Sequence, residues 1–442
     1  MRTITTSTAW SWILAGGAGR FLRVSAITGA LALLAAPQVA QAAEGDLDPT
    51  FGSGGKEMIS IGTQQRDFAQ AVGIQPDGKI IVGGELGDYS ADTNTSVLVR
   101  LNPNGSLDGS FGTGGKVVNQ AQKHLRSLVI QPDGKIVTAA ATTKISISMD
   151  FAVARYNPDG SLDQTFGNGG YAVNGAGNAN AVLLQRDGKI IVIGTLPVFR
   201  EGSDFLVGRF NPDGTADQSF GNGGRVTTSF TGGLSSADAA LAGALQADGK
   251  IVVSGYSSCI SVAVVRYNPD GTIDDGFALN GVLLTPNFGA VANRVAIQTD
   301  GKIVIGGGGF VVGRFTPDGK IDRSFGANGR IAGGFGSGSG SLNAMLIDPN
   351  GRIWAAGSVS YSGTGNAAFV LARYTRDGIP DPAFGNNGFV ITEFTGALDE
   401  ANALALQADG KPVLAGYAAE PGATYVDFAV ARYLVATGRL TR

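Results

Sequence analysis

The chain has 442 residues, 69 of them glycine, with 33 Lys and Arg against 36 Asp and Glu, and a single histidine and a single cysteine. One histidine excludes a multi-histidine metal centre, one cysteine excludes an intrachain disulfide, and a mild acidic balance argues against nucleic-acid binding, which needs a concentrated basic surface. Glycine at this level without a three-residue period, beside short runs rich in Val, Ile and Phe, points to an all-β protein with many tight turns.

Taken in chain order, residues 1–42 read as a secretory signal. Arg2, Arg20 and Arg23 stand there without any acid, Val24 to Ala36 is an almost unbroken apolar run, and Ala40-Gln41-Ala42 supplies small residues for cleavage after Ala42. The run is shorter than the ~20 residues a membrane span needs, so no stable membrane span is expected after cleavage. Residues 43–442 are then a single exported domain, secreted, periplasmic or on the cell surface, with a net charge of −6.

This domain repeats two phrases. The first, Gln-x-Asp-Gly-Lys-Ile, recurs with its aspartate at Asp77, Asp133, Asp187, Asp248, Asp300 and Asp409, and Asn350-Gly351-Arg352 is a drifted seventh copy. Successive separations are 56, 54, 61, 52, 50 and 59 residues. The second phrase is clearest in Phe151 to Gly170, FAVARYNPDGSLDQTFGNGG. Its arginine recurs at Arg100, Arg155, Arg209, Arg266, Arg314, Arg373 and Arg432, and its second aspartate at Asp48, Asp108, Asp163, Asp217, Asp274, Asp322 and Asp381. Within one unit, Ala181 to Gln185, Lys189 to Gly194 and Phe205 to Asn211 read as three strands joined by turns, with a fourth somewhere in Thr215 to Thr228.

Four antiparallel strands in about 55 residues is the scale of a propeller blade. The domain opens at Leu47-Asp48-Pro49-Thr50-Phe51-Gly52, the end of a unit, and its last copy stops at Phe428 to Tyr433, the third strand. The two fragments make one unit. The expected fold is therefore all-β: a seven-bladed β-propeller of four-stranded antiparallel blades, its ring closed by the N-terminal strand completing the last blade.

The two phrases, QPDGKI and DFAVARYNPDGSLDQTFGNGG with their variants, resemble the delta-60 repeat proteins of bacteria over Leu47 to Tyr433. The resemblance implies a β-propeller in exported or surface proteins and brings no catalytic residues with it. Phe277-Ala278, which lacks the glycine, Asn350-Gly351-Arg352, and Arg376 in place of proline depart from the pattern.

Arg155 and Asp163 with their equivalents read as a contact that locks a turn onto a strand in each blade. The loop Asn157 to Asp163 is the one place to consider a cofactor, calcium, but Arg155 occupies the place of the opening carboxylate and no bidentate Glu closes the loop. The basic residues after the turn glycines, such as Lys189 and Arg352, read as solvated turn charges, His124 as a surface residue of an interblade loop, and Cys259 as a buried inert thiol.

Both turns of a unit fall on one face, so the other face carries the variable loops, among them Glu85 to Ser96, Thr142 to Met149, Leu196 to Ser203 and Ala418 to Tyr425. Five residues before Gln75 and its equivalents stand Gln70, Arg126, Asn180, Leu241, Asn293, Asn343 and Asn402, a mostly polar ring where the strands enter the central channel. Asp67, Asp238, Asp399 and Glu400 flank that ring. The expected function is a non-enzymatic monomer that binds a protein, a glycan or a small polar molecule through this face. The alternative is a metal-assisted hydrolase or lyase acting on carbohydrate with those carboxylates.

Overall fold

In the third repeat the second strand, Ile190–Val198, begins Ile190-Ile191-Val192-Ile193 and is buried on both sides, as a strand in the middle of a stacked sheet must be. It pairs with Asn178–Leu184 on the inner side and Gly202–Phe210 on the outer side, both antiparallel. The inner connection is a tight turn in which Gly188 takes a φ of 82°, Gln185 N–H donates to Lys189 O at 2.8 Å, and the Asp187 carboxylate accepts from Lys189 N–H at 3.1 Å. The outermost strand is Arg225–Thr228, set against Phe205 to Gly208. Thr215 to Phe220, the other stretch open to that role, forms only a bridge between Ala216 and Phe210 and then turns inward, where it buries Phe220 completely.

The computed structural model describes residues 43–62, 66–87, 94–142, 150–198, 202–230, 236–258, 261–286, 292–334, 338–361, 365–420, 422–423 and 425–436. The expected signal segment and Cys259 lie outside the described residues. Among them the strands form seven antiparallel sheets, one per blade, and no helix is long and apolar enough to cross a membrane. The third sheet gains a short parallel strand, Ser236–Ala237. The innermost strands are Asp67–Ile74, Gln122–Ile130, Asn178–Leu184, Ala239–Leu245, Ala292–Ile297, Gly338–Ile347 and Asp399–Leu406. In the seventh sheet the outermost strand is Lys56–Ile59, which pairs with Asp427–Arg432 so that Lys56 faces Ala431.

The apolar core is divided among the spaces between neighbouring sheets. One cluster joins Val137, Phe151 and Val153 of the second blade to Val192, Leu206 and Phe210 of the third. Another joins Val82 and Val99 of the first blade to Val413, Phe428 and Val430 of the seventh. Each fully buried Phe, Leu or Val contributes roughly 1.5–3 kcal/mol, so the sheets are held mainly by their faces.

A recurrent glycine ends each Phe-Gly turn in the left-handed region, as at Gly221 (φ 54°), where a Cβ would lie 2.4 Å from Arg225 O. Ala278 occupies the same place in the fourth repeat and is held at a φ of 48°, with its N–H donating to Asp318 O at 2.9 Å. A non-glycine residue there is strained. Ala278→Gly should therefore raise the unfolding free energy by about 1 kcal/mol in a chemical denaturation series, since relief of that strain outweighs the extra freedom glycine gives the unfolded chain.

Candidate functional site

The repeated arginine and aspartate meet in every blade. Arg155 Nε lies 2.7 Å from Asp163 Oδ2, and the same pair is found at 2.6 to 3.0 Å for Arg100–Asp108, Arg209–Asp217, Arg266–Asp274, Arg314–Asp322, Arg373–Asp381 and Arg432–Asp48. The guanidinium carbon sits 4.4 Å from the centre of the Phe166 ring, an arrangement repeated in all seven blades. Nη1 leaves the blade altogether: Arg155 donates to Pro212 O at 2.5 Å and Arg266 to Pro317 O at 2.5 Å, both in the following repeat.

The turn lysines are only partly solvated, and they are paired, which the reading from sequence did not include. Lys135 Nζ lies 2.9 Å from Asp163 Oδ2, and Lys79, Lys189, Lys250, Lys302 and Lys411 reach the equivalent aspartates. The physical reason is that a nearly buried carboxylate has room for two cations, and the lysine stem lies along the turn to supply the second. Arg352, in the drifted copy, turns instead to Asp348 at 2.7 Å. Burial works against charge on Asp163, yet the Thr165 hydroxyl, Lys135, the Thr165 amide and Arg155 together hold its carboxyl well below the usual range. In the loop considered for calcium, Asp163 Oδ2 takes both cations, while Asp159 Oδ1 accepts from the Ser161 amide and hydroxyl.

On the opposite face the channel mouth is built from a bulge in each innermost strand. Pairing with the second strand skips a register at Gln70, Asn180, Leu241, Asn293, Asn343 and Asn402, and at the longer bulge from His124 to Arg126. Four of the amides then bridge to the neighbouring blade. Asn180 Nδ2 donates to Ala240 O at 2.8 Å, Asn293 to Leu342 O at 3.4 Å, Asn343 to Ala401 O at 3.1 Å and Asn402 to Ala69 O at 3.0 Å. Inside this ring lies a cavity of about 470 Å³, lined by Gln70, His124, Arg126, Asn178, Asn180, Leu241, Asn293 and Arg294 among others. A smaller cavity of about 210 Å³, to which Asn402 contributes, shares Gln70, Arg126, Asn180, Leu241 and Arg294 with it.

The flanking carboxylates do not converge on that cavity. Asp67, Asp238 and Asp399 are fully buried in the interblade crossings, because each serves a backbone amide there: Ile61 N–H at 2.8 Å, Phe230 N–H at 3.3 Å and Phe394 N–H at 2.8 Å. Burial pushes Asp67 up to about 6, against the pull of the Ile61 and Gly62 amides. Glu400 accepts from Asn343 Nδ2 at 2.9 Å and from the Tyr417 hydroxyl at 2.6 Å. Among the described residues no group of three or more His, Cys, Asp or Glu is placed to hold a metal ion.

His124 also differs from its sequence reading. It stands in the strand Gln122–Ile130 at a φ of 53°, and its Nδ1 is 3.0 Å from Oε2 of the fully buried Glu85, which Asn94 Nδ2 also reaches at 3.0 Å. The bulge turns the side chain toward the cavity, which periodicity alone does not reveal.

Arg294 escapes a search for polar residues at the bulge because it sits one residue later. A signal was nevertheless present. The residue after each bulge is Ala71, Ser127, Ala181, Ala242, Arg294, Ala344 or Ala403, small in six repeats and cationic in one.

Fold and mouth together define a repeat-built β-propeller with a cavity of ligand size at one end of its channel. Six segments, residues 75–111, 131–166, 185–220, 246–277, 298–325 and 348–384, match the family described as "Domain of unknown function (DUF5122) beta-propeller". Among solved structures, similarity is found to a protein of unknown function from Dyadobacter fermentans, at 10% identity and a TM-score of 0.47, covering 88% of this chain and 100% of that one. It is also found to Sqt1 from Chaetomium thermophilum, at 13% identity and a TM-score of 0.49, covering 86% of this chain and 100% of that one. A search of curated protein sequences finds no match.

Two outcomes follow from the site geometry. Arg155→Ala should cost roughly 3 kcal/mol or more in denaturant unfolding, by stranding Asp163 and the Pro212 carbonyl, whereas Lys135→Ala should cost under about 1 kcal/mol because its ammonium is partly solvated. For Asp67 the folded form keeps its proton to a higher pH than the unfolded form, so its contribution to stability is full below the ordinary carboxylate range and is lost as pH rises through about 6. Asp67→Asn should therefore flatten the fall in melting temperature between pH 4 and pH 6 that the parent protein shows.

Proposed function

We propose that this protein is an exported binding module that holds a small polar ligand or a glycan at the mouth of its central channel. The observation that carries this reading is the cavity of about 470 Å³ ringed by Gln70, Arg126, Asn180 and Asn293. Its size falls within the range of small-molecule sites, and its lining combines fixed amides with cationic side chains. Rigid strands supply those groups, while loops of unequal length surround them, the arrangement by which repeat folds acquire individual function. The turn face holds a larger cavity, of about 1070 Å³, but Lys250 and Arg266, the lysine and the repeated arginine on its wall, are already paired with Asp274.

The amide bridges at Asn180, Asn293, Asn343 and Asn402 account for much of the ring's polarity by themselves. What remains for a ligand lies chiefly in the first, second and fifth blades, at Gln70, His124, Arg126 and Arg294. Export is supported by the basic, then apolar, then small-residue order of residues 1–42 and by the resemblance to delta-60 repeat proteins. The experiment is a glycan and metabolite binding screen of the purified protein, with N-terminal sequencing of the form released by a bacterial host. Saturable binding that is lost on Gln70→Ala, together with a mature terminus at Ala43, is the expected result.

A further inference from the structure

The channel keeps its repeat pattern except where it carries cations. Directly after the bulge six of the seven inner strands have Ala or Ser, and the fifth has Arg294. At the bulge itself four strands have Asn, and the second has Arg126. Both arginines line the mouth cavity and the channel below it. The fold does not require Arg294, since the other repeats build their bulges with Ala or Ser at that place, and Arg126 ends a longer bulge where four other repeats have Asn.

Their surroundings do not neutralise them. Arg294 Nη1 donates to the carbonyl of its own neighbour, Asn293, at 2.7 Å. The described residues that line the two cavities include no Asp or Glu. Glu85 is occupied by His124 and Asn94, and Glu400 by Asn343 and Tyr417. Below the arginines the channel is apolar, with Val72, Leu128, Val182, Val295 and Leu404 on its wall. Burial lowers Arg294 to about 10, although part of the side chain faces the cavity. A cation in such a place is unfavourable without a counter-charge.

We infer that the channel mouth binds a small oxyanion, a carboxylate- or phosphate-bearing molecule, through the guanidinium groups of Arg126 and Arg294. A planar guanidinium pairs with either group through two parallel N–H donors. Gln70 adds a donor and an acceptor on the rim, suited to a hydroxyl of the same molecule. The apolar wall below limits the anion to the mouth. The inference rests on the mouth being the binding site proposed above.

The test is isothermal titration of the full chain with inorganic phosphate, citrate and glucuronate, and with glucose as the neutral control. It is repeated on Arg294→Ala and Arg126→Asn, which place at each position the residue that other repeats already use, and on Arg294→Lys in case the alanine variant is poorly folded. Saturable binding of at least one anion, weakened about tenfold or more in Arg294→Ala and Arg126→Asn while their melting temperature is unchanged or raised, is the expected result. Binding of none of the three anions at millimolar concentration, or equal binding by parent and variants, overturns the inference. If a neutral sugar binds and the variants keep it, the anion is wrong but the mouth stands as a binding site; if the binding screen finds no ligand at all, both fall.

Discussion

One guanidinium per repeat, at the junction of two sheets, is the contact on which the ring depends. Arg155 closes its own blade through Asp163, stacks on Phe166, and donates to Pro212 O in the next blade. The same step is taken by Arg100 to Pro158, Arg209 to Pro269, Arg266 to Pro317, Arg314 to Arg376 and Arg432 to Pro103. Arg373 meets Glu44 instead. A planar donor with five N–H groups can serve a carboxylate, a hydroxyl and a carbonyl at once, and lysine in its place would have to give up one of them. This explains why the phrase surrounding the arginine is copied so faithfully while the loops drift.

The faces of the propeller follow from that economy. On the turn face the repeated arginine and aspartate answer each other in every blade, and the same turns recur around the ring, which leaves a monotonous surface. On the mouth face the register skip at Gln70 and its equivalents widens the inner strand and aims one side chain per blade across the gap. Where that side chain is Asn it repeats the logic of the arginine on a smaller scale, tying blade to blade. Where it is Arg126, or where the following residue is Arg294, the local rule is broken without any evident gain in packing. A position that departs from an otherwise consistent pattern is where function is expected to reside.

Much of the architecture was legible in the sequence, because turn residues and strand length repeat and seven copies average away local ambiguity. The inner three strands, the ring of polar residues and the Arg–Asp pairing were all visible at that level. The outermost strand was not, since Ala216 to Phe220 and Arg225 to Thr228 are equally short, and pairing was decided by the burial of Phe220 rather than by propensity. The carboxylates were misplaced for a related reason. Sequence proximity put Asp67, Asp238 and Asp399 near the mouth, but three residues along a strand reverse the side chain's face, and each turns to cap the crossing behind it. Lys135 was misread because a turn position suggests solvent, whereas its stem spans back to Asp163.

The seventh blade carries one more consequence. Its turn is assembled from two remote stretches: Gly45 N–H donates to Leu434 O at 2.9 Å, Leu434 N–H to Asp46 O at 2.8 Å, and Gly385 N–H to Glu44 O at 2.9 Å, where the other repeats use the residue before the turn glycine. Arg432 and Asp48 meet across 384 residues of chain. Six blades can therefore form each from contiguous sequence, while the seventh waits until Asp427–Arg432 is available to pair with Lys56–Ile59. The closing step joins the pairing of greatest sequence separation, so the order of assembly is written into the chain: local sheets early, the circle at the end.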